Sequence, residues 1–225
     1  MFEEKEVEDF EEEEDIQIGI NIFILGNTEV GKTNFISRYI DNKFNLDYFA
    51  TKGLQIKLKP TPLKIDDKEY IIKFFDTPGN INHKQYYSKY IQKAHGFIIM
   101  YDITNKDSFD AIKSWIQVIK DIKGNNYKKF PLTLLGNKND LDTERKVKEE
   151  DGEKFVKDTN VDFLEISIRS WEDKEDIDNA VTRLVKKIVE NIPKEIDDFS
   201  GLKSKKRIEY LDNNQNIREK NGCCC

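Results

Sequence analysis

The segment from Gly26 to Thr33, GNTEVGKT, follows directly on the apolar run from Ile16 to Leu25 and precedes a stretch with helical periodicity. It fits G-x-x-x-x-G-K-[ST], a loop whose glycines let the backbone approach phosphate oxygens, whose lysine adds a point charge and whose final hydroxyl meets Mg²⁺. That mechanism requires a strand, the loop, then a helix. Ile20-Asn21-Ile22-Phe23-Ile24-Leu25 reads as a buried strand, and Phe35, Ile36, Tyr39 and Ile40 recur at helical spacing. Taken alone, the segment also reads as an ordinary glycine-rich turn. In its context, Gly26, Asn27, Thr28, Glu29, Val30, Gly31, Lys32 and Thr33 are candidate phosphate-binding residues, with Lys32 directed at β- and γ-phosphates and Thr33 at the cation.

The rest of the chain repeats the alternation. Strand-like runs near 16–25, 53–60, 69–76, 96–102, 131–136 and 162–166 are interleaved with helical patterns near 31–42, 84–93, 107–122, 148–158 and 174–191. This predicts one α/β domain built on a six-stranded, mostly parallel sheet with helices on both faces. Lys64 to Lys68 is too short for a crossover helix, so the second and third strands are expected to form an antiparallel hairpin. The predicted organisation is an acidic disordered head at 1–15, a folded domain at 16–193 and a flexible polar tail at 194–225, because neither end carries enough apolar surface to fold alone.

The net charge of −6 and pI near 5.2 argue against nucleic-acid binding, which draws its affinity from a basic face. Much of the acidity is local, since residues 1–15 hold ten acids against one lysine. No apolar run approaches the ~20 residues that span a bilayer, and the acidic start lacks a signal-peptide pattern, so a cytosolic domain is expected. Residues 1–222 contain no cysteine, which excludes a disulfide framework there.

A phosphate loop does not choose between ATP and GTP. Asn137-Lys138-Asn139-Asp140, at the end of the predicted fifth strand, reads N-K-x-D. An Asp140 carboxylate can accept two parallel hydrogen bonds from guanine N1–H and its 2-amino group, a donor pair that adenine lacks. Lys138 can lie along the purine face and Asn137 can bridge base and loop, while Ser167-Ile168-Arg169 can offer backbone N–H to guanine O6. Asp76-Thr77-Pro78-Gly79-Asn80 closes another apolar strand, where Asp76 can hold Mg²⁺ through water and the Gly79 N–H can reach a γ-phosphate. Each motif alone also reads as a polar turn; their order along the chain favours GTP and GDP as ligands.

With these loops in place, the chain from about 16 to 191 resembles a Ras-superfamily small GTPase, most closely the Rab branch. The stretch Ala94-His95-Gly96-Phe97-Ile98-Ile99-Met100-Tyr101-Asp102-Ile103-Thr104-Asn105-Lys106-Asp107-Ser108-Phe109 is similar to the Rab segment after the second switch, as is Phe163-Leu164-Glu165 before Ser167. The resemblance implies that Phe44, eleven residues after Thr33, packs on guanine, and that Thr51, eighteen after Thr33, meets Mg²⁺ and γ-phosphate only with GTP bound. Residues 44–53 and 78–93 are then the switches, and Lys32, Thr51, Gly79 and Asn80 the catalytic set. It further implies slow GTP hydrolysis, a guanine nucleotide exchange factor, a GTPase-activating protein, a prenylation escort, a GDP-dissociation inhibitor and effectors in vesicle traffic, with the protein itself monomeric.

The chain departs from that pattern. Asn80 stands where the family places the glutamine that orients attacking water, and its amide is one methylene shorter, so hydrolysis is expected to be slow; a hydrolysis-deficient recruitment module and a non-Rab signalling GTPase are the alternatives. Ile81 replaces the usual Glu and Pro78 the usual Ala. Of the aromatic trio between the switches, Ile56 and Phe75 are altered and Tyr90 remains. Glu29 puts a carboxylate beside polyphosphate and is expected to point outward. Cys223, Cys224 and Cys225 lack the C-a-a-X spacing and resemble the Rab pattern for two geranylgeranyl groups, which would anchor the protein to the cytosolic face of an endomembrane. Adventitious metal binding and accident are the competing readings of these thiols. Lys203 to Arg207 would add attraction to an anionic leaflet.

Overall fold

The structure is a computed structural model and describes residues 18–191, apart from Tyr48 and the side chains of His83 and Lys84. The acidic head, the basic cluster at 203–207 and the terminal cysteines therefore lie outside the described residues. Strand β1 (Ile18–Leu25) leads through the phosphate loop into α1 (Lys32–Asp41). There follow β2 (Gln55–Leu58), β3 (Leu63–Ile65), β4 (Lys68–Asp76), α2 (Lys84–Ile91), β5 (Gly96–Asp102), α3 (Lys106–Asp110), α4 (Ile112–Lys123), β6 (Leu132–Asn137), α5 (Glu149–Val156), β7 (Asp162–Ile166) and α6 (Lys174–Asn191).

The sheet has seven strands where six were expected. Its order is β2-β4-β1-β5-β6-β7, with β3 also paired to β4. The additional strand arises because the expected 53–60 segment breaks at Pro60 and resumes at Leu63. β2 and β3 lie end to end along one edge of β4, with Leu58 opposite Lys73 and Leu63 opposite Tyr70. Residues 59–62 thus face only Ile71 and Ile72, a bulge that suits Pro60 and Pro62, which have no N–H to give to a ladder. The hairpin exists, but between β3 and β4. Its two-residue turn is Asp66-Asp67, both at positive φ (46° and 61°), the handedness that matches strand twist.

The pattern expected at 107–122 is likewise two helices, α3 and α4, parted at Ala111. Ser108 explains the break. Its hydroxyl accepts from Asp102 N at 2.9 Å and donates to Asn105 O at 2.7 Å, which pins the first turn to the end of β5 before the chain turns along the sheet.

The sheet is covered on both sides, so its central strands are apolar almost throughout. Ile20, Ile22 and Ile24 of β1 face Phe35 and Tyr39 of α1 and Val181, Leu184 and Ile188 of α6. Phe23 and Leu25 point the other way, towards Tyr87 and Ile91 of α2 and Trp115 and Ile119 of α4. Every residue of β5 is buried. The parallel strands β1, β4, β5, β6 and β7 end on the same side of the sheet, where a doubly wound fold keeps its ligand crevice.

Candidate guanine-nucleotide site

The loops after β1, β4, β6 and β7 meet around a cavity of about 480 Å³, walled by Thr28, Glu29, Lys32, Thr33, Phe44, Thr51, Pro78, Asn137, Lys138, Asp140 and Arg169 among others. With the loop after α1 that carries Phe44 and Thr51, five sequence-distant segments thereby share one space. Gly26 enters it at φ 134°, and a Cβ there would lie 2.3 Å from Met100 O, so only glycine lets the chain leave β1 at this angle. Gly31 precedes the first turn of α1, whose unpaired N–H groups and helix dipole favour an anion.

Lys32 is 6 % exposed. Its Nζ donates to Gly26 O at 3.0 Å and Asn27 O at 2.6 Å, bending the side chain back over the loop. Burial pulls its pKa down to about 8, against the attraction of Asp76. Gly79 closes against this group from the opposite loop, at φ 77°. A Cβ on Gly79 would sit 2.5 Å from Lys32 Nζ and 2.7 Å from Thr28 N, so the two loops touch only because no side chain separates them.

Beside the lysine, Thr33 Oγ1 donates to Asp76 Oδ2 at 2.6 Å and lies 3.2 Å from Thr51 Oγ1. Asp76 is fully buried, and among the described residues its Oδ1 has no hydrogen-bond partner. Burial pushes its pKa up, while the Thr33 hydrogen bond, Lys32 and Lys57 oppose that. A carboxylate with one unpaired oxygen, its other oxygen bonded to the Thr33 hydroxyl, which in turn lies beside that of Thr51, is a donor set suited to a hard divalent cation. Thr33, Thr51 and Asp76 therefore fit Mg²⁺.

At the other end of the cavity, Asn137 acts as a tie. Its Nδ2 donates to Val30 O at 2.9 Å and its Oδ1 accepts from Ile168 N at 3.1 Å, joining the phosphate loop to the loop after β7. Lys138 pairs with Asp102 at 2.6 Å, which holds its stem across the cavity floor. Ser167 Oγ donates to Asp140 Oδ1 at 2.6 Å and orients the carboxylate, while the Ser167 N–H is taken by Asp173. Phe44 is half-buried on the wall facing these groups.

Asn80 is exposed, and its Oδ1 accepts the Asn82 N–H at 3.0 Å, a local bond that starts the 3-10 turn Ile81–His83. Glu29 is exposed at the cavity rim with φ 64°. Phase by phase along the edge strands, Ile56 pairs with Phe75, and the Phe75 ring lies 6.3 Å from that of Tyr90, so the altered trio is assembled in space.

Sequence reasoning did not single out several supporting residues. Trp115 is buried, and its Nε1 also donates to Asn27 Oδ1 at 3.0 Å. Asp102 and Asp173 carried no sequence signal separable from ordinary polar positions. Arg38 did: it falls on the face of α1 set by Phe35 and Tyr39, where a cation demands partners. His95 uses Nδ1 to accept the Asn21 N–H at 2.9 Å, and burial takes its pKa down to about 4.

The sequence profile of the Ras family matches residues 21–190, nearly the span of the fold described above. This chain belongs to the Ras family of small GTPases, in the Rab branch. Ras-related protein Rab-3A of Homo sapiens is 34 % identical over 176 residues, covering 78 % of this chain and 76 % of Rab-3A. Ras-related protein Rab-3B of Homo sapiens is 32 % identical over 205 residues, covering 91 % and 89 %. GTP-binding protein Rab-3D of Rattus norvegicus is 35 % identical over 148 residues, covering 66 % and 65 %. As a member of this family the protein is a GTP-binding hydrolase. Among the described residues of the GTPase, no helix is long and apolar enough to cross a membrane.

Proposed function

We propose that this Rab-like GTPase binds GTP and GDP in the cavity between the five loops and uses the difference to recruit effectors during vesicle traffic. The observation that carries the reading is the Asn137 tie, which holds the Val30 carbonyl of the phosphate loop and the Ile168 N–H of the base loop on one side chain. Asp140, held by Ser167, would read guanine N1–H and the 2-amino group, with Phe44 and the Lys138 stem on the base faces. Thr33, Thr51 and Asp76 would hold Mg²⁺, which supplies charge neutralisation between β- and γ-phosphates. Lys32 would donate to the same oxygens, and the Gly79 N–H to the γ-phosphate. Loss of that phosphate removes the partner of Thr51 and Gly79, so residues 44–53 and 78–93 relax.

Hydrolysis is slow in this reading. The Asn80 amide is short, and its oxygen is engaged by the Asn82 N–H at 3.0 Å, so orienting water requires breaking a local bond. A displacement of about an ångström costs on the order of a hundredfold in rate. Single-turnover hydrolysis by Asn80→Gln is expected to exceed that of the unaltered protein by about tenfold or more; equal rates refute the assignment. Nucleotide extracted from the purified protein tests the function itself, with GTP or GDP expected and adenine nucleotide or none overturning it.

Membership in the Rab branch supports lipidation of Cys223, Cys224 and Cys225 and attachment to the cytosolic face of an endomembrane. It also supports an exchange factor, a GTPase-activating protein, a prenylation escort and a GDP-dissociation inhibitor as partners. The exposed Leu46, Phe49, Ile56 and Tyr86 lie in or beside the two switch segments and supply apolar surface for effectors.

A further inference from the structure

Arg38 is 1 % exposed on the sheet-facing side of α1, yet among the described residues no carboxylate pairs with it. Its guanidinium is satisfied by backbone. Nε donates to Ile168 O at 3.0 Å, Nη2 to Arg169 O at 3.1 Å and Nη1 to Asn42 O at 3.2 Å. The Trp171 ring covers the guanidinium with its centroid 4.2 Å from Cζ, and the Phe44 ring lies 5.9 Å away. The planar fork of arginine reaches three carbonyls at once, which a lysine ammonium on a flexible stem cannot reproduce.

In a trans peptide the C=O and the N–H lie in one plane and point in opposite directions across the C–N bond. Holding Ile168 O therefore directs the Arg169 N–H away from Arg38. Of the three N–H groups in this loop, that of Ser167 is bound by Asp173 and that of Ile168 by Asn137 Oδ1, and among the described residues none accepts from Arg169. Arg169 itself stands in the cavity wall beside Asp140.

We propose that Arg38 is a positioning residue for base recognition: it fixes the Ile168–Arg169 peptide so that the Arg169 N–H meets the 6-oxo group of the purine, and Trp171 shields the carbonyl contacts from water. Through Asn42 O, two residues before Phe44, the same guanidinium sets the chain that carries the base-stacking ring. Asp140 and Arg38 thus divide the work, one reading the 2-amino edge and the other holding the donor for the 6-oxo edge. The proposal rests on the guanine-nucleotide reading above.

The test compares dissociation constants of the full chain for three diphosphates: GDP, IDP, which lacks the 2-amino group, and 2-aminopurine riboside diphosphate, which lacks the 6-oxo group and with it the N1–H, a loss to Asp140 that is common to both proteins and cancels between them. In Arg38→Gln the preference for GDP over the 2-aminopurine nucleotide is expected to fall about tenfold, while the preference for GDP over IDP stays as in the unaltered protein. A purely structural role lowers the melting temperature and leaves both ratios unchanged, and that result overturns the proposal. Should Arg38→Gln fail to fold, Trp171→Ala at an exposed position carries the comparison, with the same ratio falling about threefold and an unchanged ratio counting against. An unaltered protein that binds none of the three removes the underlying nucleotide reading as well, an outcome distinct from unchanged ratios.

Discussion

Burial, opposed by the attraction of Asp76, takes the Lys32 pKa down to about 8, so without nucleotide the side chain loses its proton as pH rises above that value. Phosphate oxygens favour the ammonium form. Binding between about pH 8 and the ordinary value of 10.5 must then take up a proton, and guanine-nucleotide affinity is expected to fall as pH climbs through this window. Calorimetry at pH 9 in buffers of different ionisation enthalpy measures the uptake directly; buffer-independent heats count against it. Lys32 and Asp140 were legible from motif alone because their chemistry is local to a loop. Arg38 was not, because its partners at Ile168 and Arg169 are far away in the chain and offer only carbonyls, which every residue has.

Between elements, the turn from β3 to β4 carries a cost the sequence reveals only once its backbone angles are known. Asp66 and Asp67 both occupy the left-handed region, which glycine adopts without strain and other residues adopt at roughly 1–2 kcal/mol. Asp67→Gly is expected to stabilise the protein by about 0.5–1 kcal/mol, since Asp-Gly is a favoured pair in this turn, read as an upward shift of the thermal midpoint. The Ser108 contacts that separate α3 from α4 are the converse case. A continuous helical periodicity from 107 to 122 concealed a change of direction imposed by bonds back to Asp102 and Asn105.

Taken as one body, the protein is a sheet between two apolar layers, with its switch loops at one end. Under the proposed anchoring, the cysteines act only through lipid. The Cys223→Ser, Cys224→Ser, Cys225→Ser triple variant is therefore expected to lose membrane association in a prenylating extract while keeping its melting temperature and nucleotide affinity. Fractionation followed by thermal unfolding checks both halves.

Chain order alone dictated the alternation of strands and helices, the phosphate loop and the Asp that favours guanine, because these depend on periodicity and on chemistry carried within a few consecutive residues. Tertiary structure decided how the second strand divides around Pro60 and Pro62, that Gly79 lies against Lys32, that one Asp76 oxygen is unpaired among the described residues, and that Arg38 donates to the Ile168 carbonyl. Those features are relations between segments brought together only by folding, and no local pattern of residue types encodes the distance between them.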